Sequence, residues 1–326
     1  TSEGYFSYVK DFKGGHNLNA TAGYSYFEVN GENFGMDNYN FSVDGIKYWD
    51  IGQGSYLTDG KAGMSSGKSV TERLFSFFAR ANYSYQDKYM LSASIRHEGS
   101  SKFAADNRWA NFWSATAGWR ISNEEFMKDF DWLDDLKIRF GYGVTGNNDF
   151  SATYMANMLG SDTNWMMPNG TWAYSYGKSQ NVNPNLGWEE KKEWNLGVDY
   201  SFFEGRLYGK FDYYRRKVDN LLFSVKVPQP PYTQGSQMQN IGSMESKGWE
   251  FEVGGDIIRT KDFTWSSSMN LSHNTGKILT LEGDNSYHNG NGFVAPGTPG
   301  DAARMEAGST IGSFYMWKFA GFDDEG

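Results

Sequence analysis

The chain has 326 residues, a formal net charge of −9 and an aromatic content of 17 %, from 24 Phe, 21 Tyr and 12 Trp residues. It contains no Cys, which excludes disulfide frameworks, thiolate metal sites and cysteine nucleophiles. The acidic balance disfavours nucleic-acid binding, and the aromatic content disfavours disorder. The chain also has no run of about 18 apolar residues, which a membrane-spanning helix would need.

Apolar and polar residues alternate with a period of two in successive segments of about ten residues, which is typical of strands with one apolar face. The clearest example is the pair of segments around Gly205, where Trp194, Leu196 and Val198 share one face of the first strand. A short turn containing Gly205 predicts a hairpin between the two. The alternating segments, in chain order, are residues 18–26, 75–85, 89–96, 136–143, 194–202, 207–214, 249–256 and 263–271.

The predicted connections alternate between tight turns and long polar stretches. Short turns at one end and long loops at the other are typical of outer-membrane β-barrels, whereas a soluble β-sandwich, the main alternative, explains the alternating strands but not this asymmetry. Residues 122–135 are an exception and predict a short amphipathic helix between two strands. The predicted tight turns are residues 86–88, 204–206 and 258–262, and the predicted long loops are 31–69, 151–188, 228–247 and 282–305.

Five ordered blocks between about residue 83 and residue 281 resemble one known family. They are HEGSSKFAADNRWANFWSATAGWRISNEEFM (97–127), LDDLKIRFGYGVTGNN (133–148), NPNLGWEEKKEWNLGVDYSFFEGRLYGKFDYYRRKVDNLL (183–222), NIGSMESKGWEFEVGGDII (240–258) and FTWSSSMNLSHNTGKILTL (263–281). In order and spacing these blocks are similar to the barrel of SusC/RagA-type TonB-dependent transporters of Bacteroidota outer membranes.

The resemblance implies an all-β, antiparallel transmembrane barrel of about 22 strands around an inserted plug domain. It implies import of oligosaccharides or peptides, with a SusD-like surface lipoprotein as lid and energy delivered through TonB. We expect residues 1–326 to be a barrel-domain fragment with eleven to fourteen strands, about half of the barrel. We recognise no plug domain, TonB box or C-terminal strand in it. The expected location is the outer membrane with loops facing outwards, and no cofactor or enzymatic activity is implied.

Two groups of residues are candidate contact sites. Aromatic rings beside amides in a long loop suit stacking on sugars or gripping peptides, although packing against the lipoprotein or a neighbouring loop explains them equally well. Basic residues at a strand end suit contact with lipopolysaccharide phosphates, with a solvated strand end as the alternative. The loop residues are Asn164, Trp165, Asn169, Trp172, Tyr174 and Tyr176, and the rim residues are Arg215, Arg216 and Lys217.

No catalytic or metal site is predicted. The four His residues are scattered without metal-ligand spacing. The GxGxxG pattern at residues 141–146 continues an alternating strand, so it predicts a strand-to-loop transition and not a phosphate site. The alternatives to an energised importer are a soluble carbohydrate-binding β-sandwich or adhesin and a passive porin.

Overall fold

The computed structural model describes residues 1–46, 49–156, 159–281, 287–289, 304–314, 318 and 321. Among these residues, no helix is long and apolar enough to cross a membrane. The strands are β1 (Ser2–Phe12), β2 (His16–Val29), β3 (Glu32–Asp37), β4 (Gly63–Lys68), β5 (Glu72–Tyr85), β6 (Tyr89–Ser100), β7 (Trp109–Arg120), β8 (Leu133–Asn147), β9 (Leu159–Met166), β10 (Trp172–Lys178), β11 (Glu189–Phe202), β12 (Leu207–Asp219), β13 (Leu222–Lys226), β14 (Ser236–Asn240), β15 (Ser243–Arg259), β16 (Thr264–Thr280), β17 (Tyr287–Asn289) and β18 (Arg304–Glu306).

Ten of these strands form one large sheet in the order β1-β2-β5-β6-β7-β8-β11-β12-β15-β16. Every pairing in it is antiparallel, and each strand lies beside the previous sheet strand along the chain. The short pairs β3–β4, β9–β10, β13–β14 and β17–β18 are separate two-stranded sheets. The predicted all-β antiparallel class is therefore confirmed. The sheet strands have 11 to 17 residues, enough to cross the apolar layer when tilted.

The predicted alternation of short and long connections is also confirmed, except that 121–132 at the short-turn end is longer than 101–108 at the opposite end. The turn at residues 86–88 is tight: the Lys88 N–H donates to the Tyr85 carbonyl (2.9 Å), and Gln86 and Asp87 between them both adopt positive φ (51° and 52°), as the central residues of a type I′ turn do. The predicted loop 228–247 ends earlier than expected, at residue 242, because β15 begins at Ser243. The predicted loop 282–305 lies largely outside the described residues. The connections at one end are 13–15, 86–88, 121–132, 203–206 and 260–263, and those at the other end are 30–71, 101–108, 148–188 and 220–242.

The helix predicted over residues 122–135 is wrong. Two short 3-10 turns, Ile121–Asn123 and Glu125–Met127, occupy the connection, and β8 begins at Leu133. Glu124 separates the two turns in an extended conformation (φ −76°, ψ 149°). Its carboxylate accepts hydrogen bonds from neighbouring strands, so contacts with the sheet hold this residue outside a continuous helix.

The large sheet has two chemically different faces, which we call the apolar face and the polar face. In an antiparallel sheet, directly paired residues point to the same side, so a row can be followed across the strands. One row on the apolar face is Leu18, Tyr83, Leu91, Ala117, Phe140, Leu196, Tyr213, Trp249 and His273. The adjacent row on the polar face is Asn19, Asn82, Ser92, Thr116, Gly141, Asn195, Tyr214, Gly248 and Asn274.

Large side chains on the apolar face are exposed, Leu91 to 55 % and Phe140 to 49 %. A continuous exposed apolar surface of this size marks a contact with lipid or with another protein. The main cluster of buried apolar side chains lies at the long-loop end and packs the loops onto β7 and β8. Its members are Phe103, Phe112, Val144, Phe150, Leu186 and Trp188.

Candidate functional site

An ion-pair network joins three neighbouring strands on the polar face. Arg139 on β8 donates two hydrogen bonds to Asp199 on β11, Nε to Oδ2 and Nη2 to Oδ1, each 2.8 Å long. The same Nη2 lies 3.1 Å from Oδ1 of Asp212 on β12. A bidentate arginine–carboxylate pair fixes geometry as well as charge. This guanidinium therefore connects β8 with both strands of the β11–β12 hairpin.

Gly197 is what makes this connection possible. It lies between Arg139 and Asp212 in the sheet, paired with both. A Cβ atom at this position would lie 2.5 Å from Oδ1 of Asp212 and 2.7 Å from Nη2 of Arg139, closer than real Cβ contacts. Only glycine lets the guanidinium reach across β11 to the second carboxylate.

Further ion pairs extend this charged surface across the polar face. Lys210 Nζ lies 2.9 Å from Glu252 Oε2, and Arg216 Nε lies 2.7 Å from Glu193 Oε2. The sequence pattern placed these residues on polar positions of their strands but did not identify the network. The network joins β8 to β11 and β12 to β15, and no tight turn sets the register of these two pairs of strands. The polar face is therefore a mixed-charge surface with amides and hydroxyls, suited to polar ligands of either charge.

The predicted loop aromatics lie on the β9–β10 hairpin inside the long connection 148–188. Trp172, Tyr174 and Tyr176 alternate along β10 and share one face, with 64 %, 71 % and 69 % of their surfaces exposed. Trp165 is also exposed, at 67 %, but it pairs with Ala173 and so belongs to the opposite face. The structure therefore brings three of the four predicted rings together in a row that can contact a ligand.

The two predicted amides of this loop have different positions. The backbone of Asn164 pairs with Tyr174 in the hairpin, and its side chain lies outside the described residues. Asn169 lies in the turn, where its Oδ1 accepts hydrogen bonds from the backbone N–H (3.1 Å) and the hydroxyl (2.7 Å) of Thr171. Its carbonyl oxygen therefore stabilises the turn of the hairpin.

A buried amide, not anticipated from the sequence, fixes this long loop to the next one. Asn181 donates hydrogen bonds to the carbonyl oxygens of Gln234 (2.7 Å) and Ser236 (2.9 Å). Its Oδ1 accepts from the backbone N–H of Thr233 and of Gln234, and from the Thr233 hydroxyl. Because the residue is only 7 % exposed, these protein contacts provide the hydrogen bonds that a buried amide needs. The connections 148–188 and 220–242 are thus held as one surface at the long-loop end.

The three predicted rim residues do not share a face. Arg215 and Lys217 lie on the apolar face, where they pair with Lys247 and Glu245 of β15. Arg216 lies on the polar face in its ion pair with Glu193. All three are near the end of β12, beside the long connection 220–242.

At the short-turn end, Glu124 ties the connection 121–132 to β6 and β7. Its carboxylate accepts hydrogen bonds from the Tyr89 hydroxyl (2.6 Å), the Trp119 indole (3.0 Å) and the Lys88 ammonium (3.1 Å). These bonds, that from Tyr89 foremost, hold the pKa of Glu124 below its usual range, because they favour the charged form. This cluster stabilises the turn.

Two other sequence features have structural explanations. The GxGxxG pattern of residues 141–146 lies within β8, which continues to Asn147. A dinucleotide-binding loop needs a helix directly after the glycines, so the predicted strand end is confirmed. Among the described residues, no group of three or more His, Asp or Glu side chains could hold a metal ion.

Residues 1–322 match the family model described as TonB dependent receptor-like, beta-barrel. The chain is 36 % identical over 275 residues to the TonB-dependent receptor SusC of Bacteroides thetaiotaomicron, covering 82 % of this chain and 27 % of that protein. It is 35 % identical over 333 residues to the TonB-dependent receptor P3 of Formosa agariphila, covering 98 % of this chain and 31 % of the relative.

Among solved structures, the chain is similar to the RagAB peptide importer in its "closed-closed" state, with a TM-score of 0.81 and 27 % identity. That match covers 99 % of this chain and 34 % of the importer chain. The chain therefore spans about a third of the length of the relatives that it matches.

Proposed function

This chain belongs to the family of TonB-dependent receptor-like β-barrels, and on that basis we propose that it forms part of the barrel wall of an importer for oligosaccharides or peptides. Proteins of this family are outer-membrane transporters and not enzymes. The family membership favours a membrane barrel over the soluble β-sandwich considered from the sequence. Peptide cargo has support from a similar structure, which is that of a peptide importer.

The observation that carries the proposal is the division of the sheet into two faces. The apolar face, with its row from Leu18 to His273, contacts lipid, because only apolar side chains are stable there. The polar face, with its ion pairs and amides, then lines the passage. Polar cargo can keep its hydrogen bonds in a polar lumen, so it does not pay the free-energy cost of losing water without replacement.

In this proposal the long-loop end faces outwards and captures the cargo. The exposed row of Trp172, Tyr174 and Tyr176 stacks on sugar rings or grips peptide side chains, or packs against a SusD-like lipoprotein that closes over it. The joined loops around Asn181 give that row a rigid base. The plug and the contact with TonB belong to parts of the receptor outside this chain, and TonB provides the energy.

The test is import by a strain in which the gene of the complete receptor has been deleted and replaced by variants. We expect deletion to abolish uptake of one cargo class, and the wild-type gene to restore it. Trp172→Ala/Tyr174→Ala/Tyr176→Ala should weaken capture about ten- to thousandfold, at about 0.5–1.5 kcal/mol for each of the three lost ring contacts. Phe34→Ala is the matched control, because Phe34 is an exposed ring on another loop hairpin.

Three outcomes would contradict the proposal. If the deletion strain imports oligosaccharides and peptides at the wild-type rate, the chain has another function. If uptake requires this receptor but persists after removal of TonB, the barrel acts as a passive porin. If Phe34→Ala reduces uptake as much as the triple variant does, the row on β10 is not the specific site of cargo capture.

A further inference from the structure

The apolar face ends in a band of basic side chains on four adjacent strands, at the long-loop end. Towards the long-loop end, the row that contains the aromatic residues Tyr213 and Trp249 is followed by the row that contains Arg215 and Lys247. In the next row, Lys192, Lys217 and Lys277 are the basic members. All five basic residues share the face of the apolar rows, and we call them the basic rim: Lys192, Arg215, Lys217, Lys247 and Lys277.

The basic rim places like charges directly opposite one another. Lys192 pairs with Lys217 across β11 and β12, and Arg215 pairs with Lys247 across β12 and β15. Like charges in directly opposed positions destabilise a sheet unless an anion neutralises them. Any positive charge that the local carboxylates leave unneutralised therefore favours binding of an external anion.

The local carboxylates neutralise the rim only in part. Asp219 lies 3.2 Å from Lys192 and 2.8 Å from Lys217, and Glu245 lies 2.6 Å from Arg215. With Glu190 beside Lys192, three acids face five bases. The Lys247 ammonium has no ion-pair partner within the part of the chain that the structure describes, so it is available to an external anion.

The excess of positive charge is local to these strands. On β2 and β5, at the same end of the sheet, Arg73 is paired with Glu28 at 2.9 Å. Trp194 lies in the same row as Arg215 and Lys247, and its ring contacts that of Tyr213 in the next row of the apolar face, with centroids 5.5 Å apart. Aromatic rings next to basic side chains are typical of the membrane interface, at the level of lipid headgroups.

We propose that the basic rim binds the phosphate group of an outer-leaflet lipid whose acyl chains lie against the apolar face. Lys and Arg side chains are strong phosphate binders, and the apolar rows continue without interruption below them. A lipid contacts the basic rim with its phosphate and the apolar face with its acyl chains, whereas a free phosphate ion contacts only the basic rim. Arg216, on the polar face, takes no part. The inference depends on the membrane location of the family and not on the cargo, so its failure leaves the proposed function intact.

The test measures binding of purified lipid A to the complete receptor in detergent, by native mass spectrometry. The comparison lipid is the same lipid A after enzymatic removal of its phosphates, and inorganic phosphate is the competitor. Lys192→Gln/Lys217→Gln removes two rim charges. Lys191→Gln/Arg216→Gln is the matched control, because it removes two charges from the same strands on the polar face.

We expect lipid A to bind more tightly than its phosphate-free form, and the rim variant to weaken lipid A binding about tenfold while the control leaves it unchanged. If the rim variant fails to fold because Asp219 loses its partners, Lys247→Gln provides the test, since Lys247 has no ion pair to lose. It should weaken binding about threefold. Equal binding of both lipids, equal loss in the control, or displacement by inorganic phosphate alone would overturn the proposal.

Discussion

The glycine between Arg139 and Asp212 offers a direct test of the polar-face network. We expect Gly197→Ala to break the contact between the two side chains, because the new Cβ atom would lie 2.5 Å and 2.7 Å from their charged ends. These ends are flexible, so they will move before the backbone does. The substitution should therefore remove the Arg139–Asp212 interaction and leave the sheet intact.

The expected cost follows from that lost interaction. A hydrogen bond between charged groups contributes about 1.5–3 kcal/mol when well shielded from water. Arg139 is about one-third exposed and Asp212 is 14 % exposed, so we discount this to about 1–2 kcal/mol. Replacing a strand glycine by alanine returns about 0.5–1 kcal/mol through reduced chain entropy. The net destabilisation is therefore about 0.5–1 kcal/mol.

Gly118 provides a matched control, because it pairs with Arg139 from the other side, on β7. A Cβ atom at Gly118 would meet Lys137 and Met90 at 3.4 Å or more, which is ordinary contact. We expect Gly118→Ala to stabilise the protein by about 0.5–1 kcal/mol, since it gains the entropy term and loses no contact. Urea unfolding of the complete receptor in detergent, followed by tryptophan fluorescence, should separate the two alanine variants by about 1–2 kcal/mol.

A double-mutant cycle distinguishes this mechanism from a general packing defect. If Gly197→Ala acts by displacing Asp212, then adding Asp212→Asn should cost little more, because both changes remove one interaction. Equal stability of the Gly118 and Gly197 variants, or full additivity with Asp212→Asn, would refute the reasoning.

Two further predictions concern the ends of the sheet. Glu124→Gln should destabilise the short-turn end at pH 7. Because folding lowers the pKa of Glu124, the stabilisation by its carboxylate is full above about pH 4.5 and is lost as the pH falls through the folded-state pKa. The difference in melting temperature between wild type and variant should therefore shrink on acidification. Asn181→Ala should release the two joined loops at a cost of about 1–3 kcal/mol and speed amide exchange at residues 233–237. Asn183→Ala, which loses one hydrogen bond to the carbonyl oxygen of Met238 just after this segment, should have less effect. A pH-independent difference, or unchanged exchange, would contradict them.

Much of the strand pairing could be predicted from the sequence, because a tight turn determines the register of its hairpin. The turn at 86–88 pairs Tyr85 with Tyr89, and every later pair of β5 and β6 follows from that. The same reasoning over 203–206 pairs Phe202 with Leu207 and therefore Asp199 with Lys210. The sequence predicted exposed rings in the long loop 151–188, but it did not predict the strand β10, whose alternation places Trp172, Tyr174 and Tyr176 on one face.

The failures have identifiable causes. The amphipathic pattern of residues 122–135 suggested a helix, but side-chain hydrogen bonds to Glu124 favoured two short turns. The role of Asn181 was invisible because its partners, residues 233–236, come from a different loop without secondary-structure periodicity. The grouping of Arg215 with Arg216 and Lys217 overlooked the alternation itself, which sends Arg216 to the opposite face.

The contact between β8 and β11 shows most clearly what lies beyond sequence reasoning. Residues 148–188 separate these strands, so no turn geometry sets their register, and a slip of one residue would reverse both faces. Arg139 reaches Asp199 and Asp212 only when it lies beside Gly197; a shift by two residues keeps the faces but separates the guanidinium from this pair of carboxylates. The ion pair thus specifies the alignment of β8 with the β11–β12 hairpin, which the chain connects only through the long segment 148–188. A glycine in the middle of a strand, usually a weakness, is here the residue that permits this specific alignment.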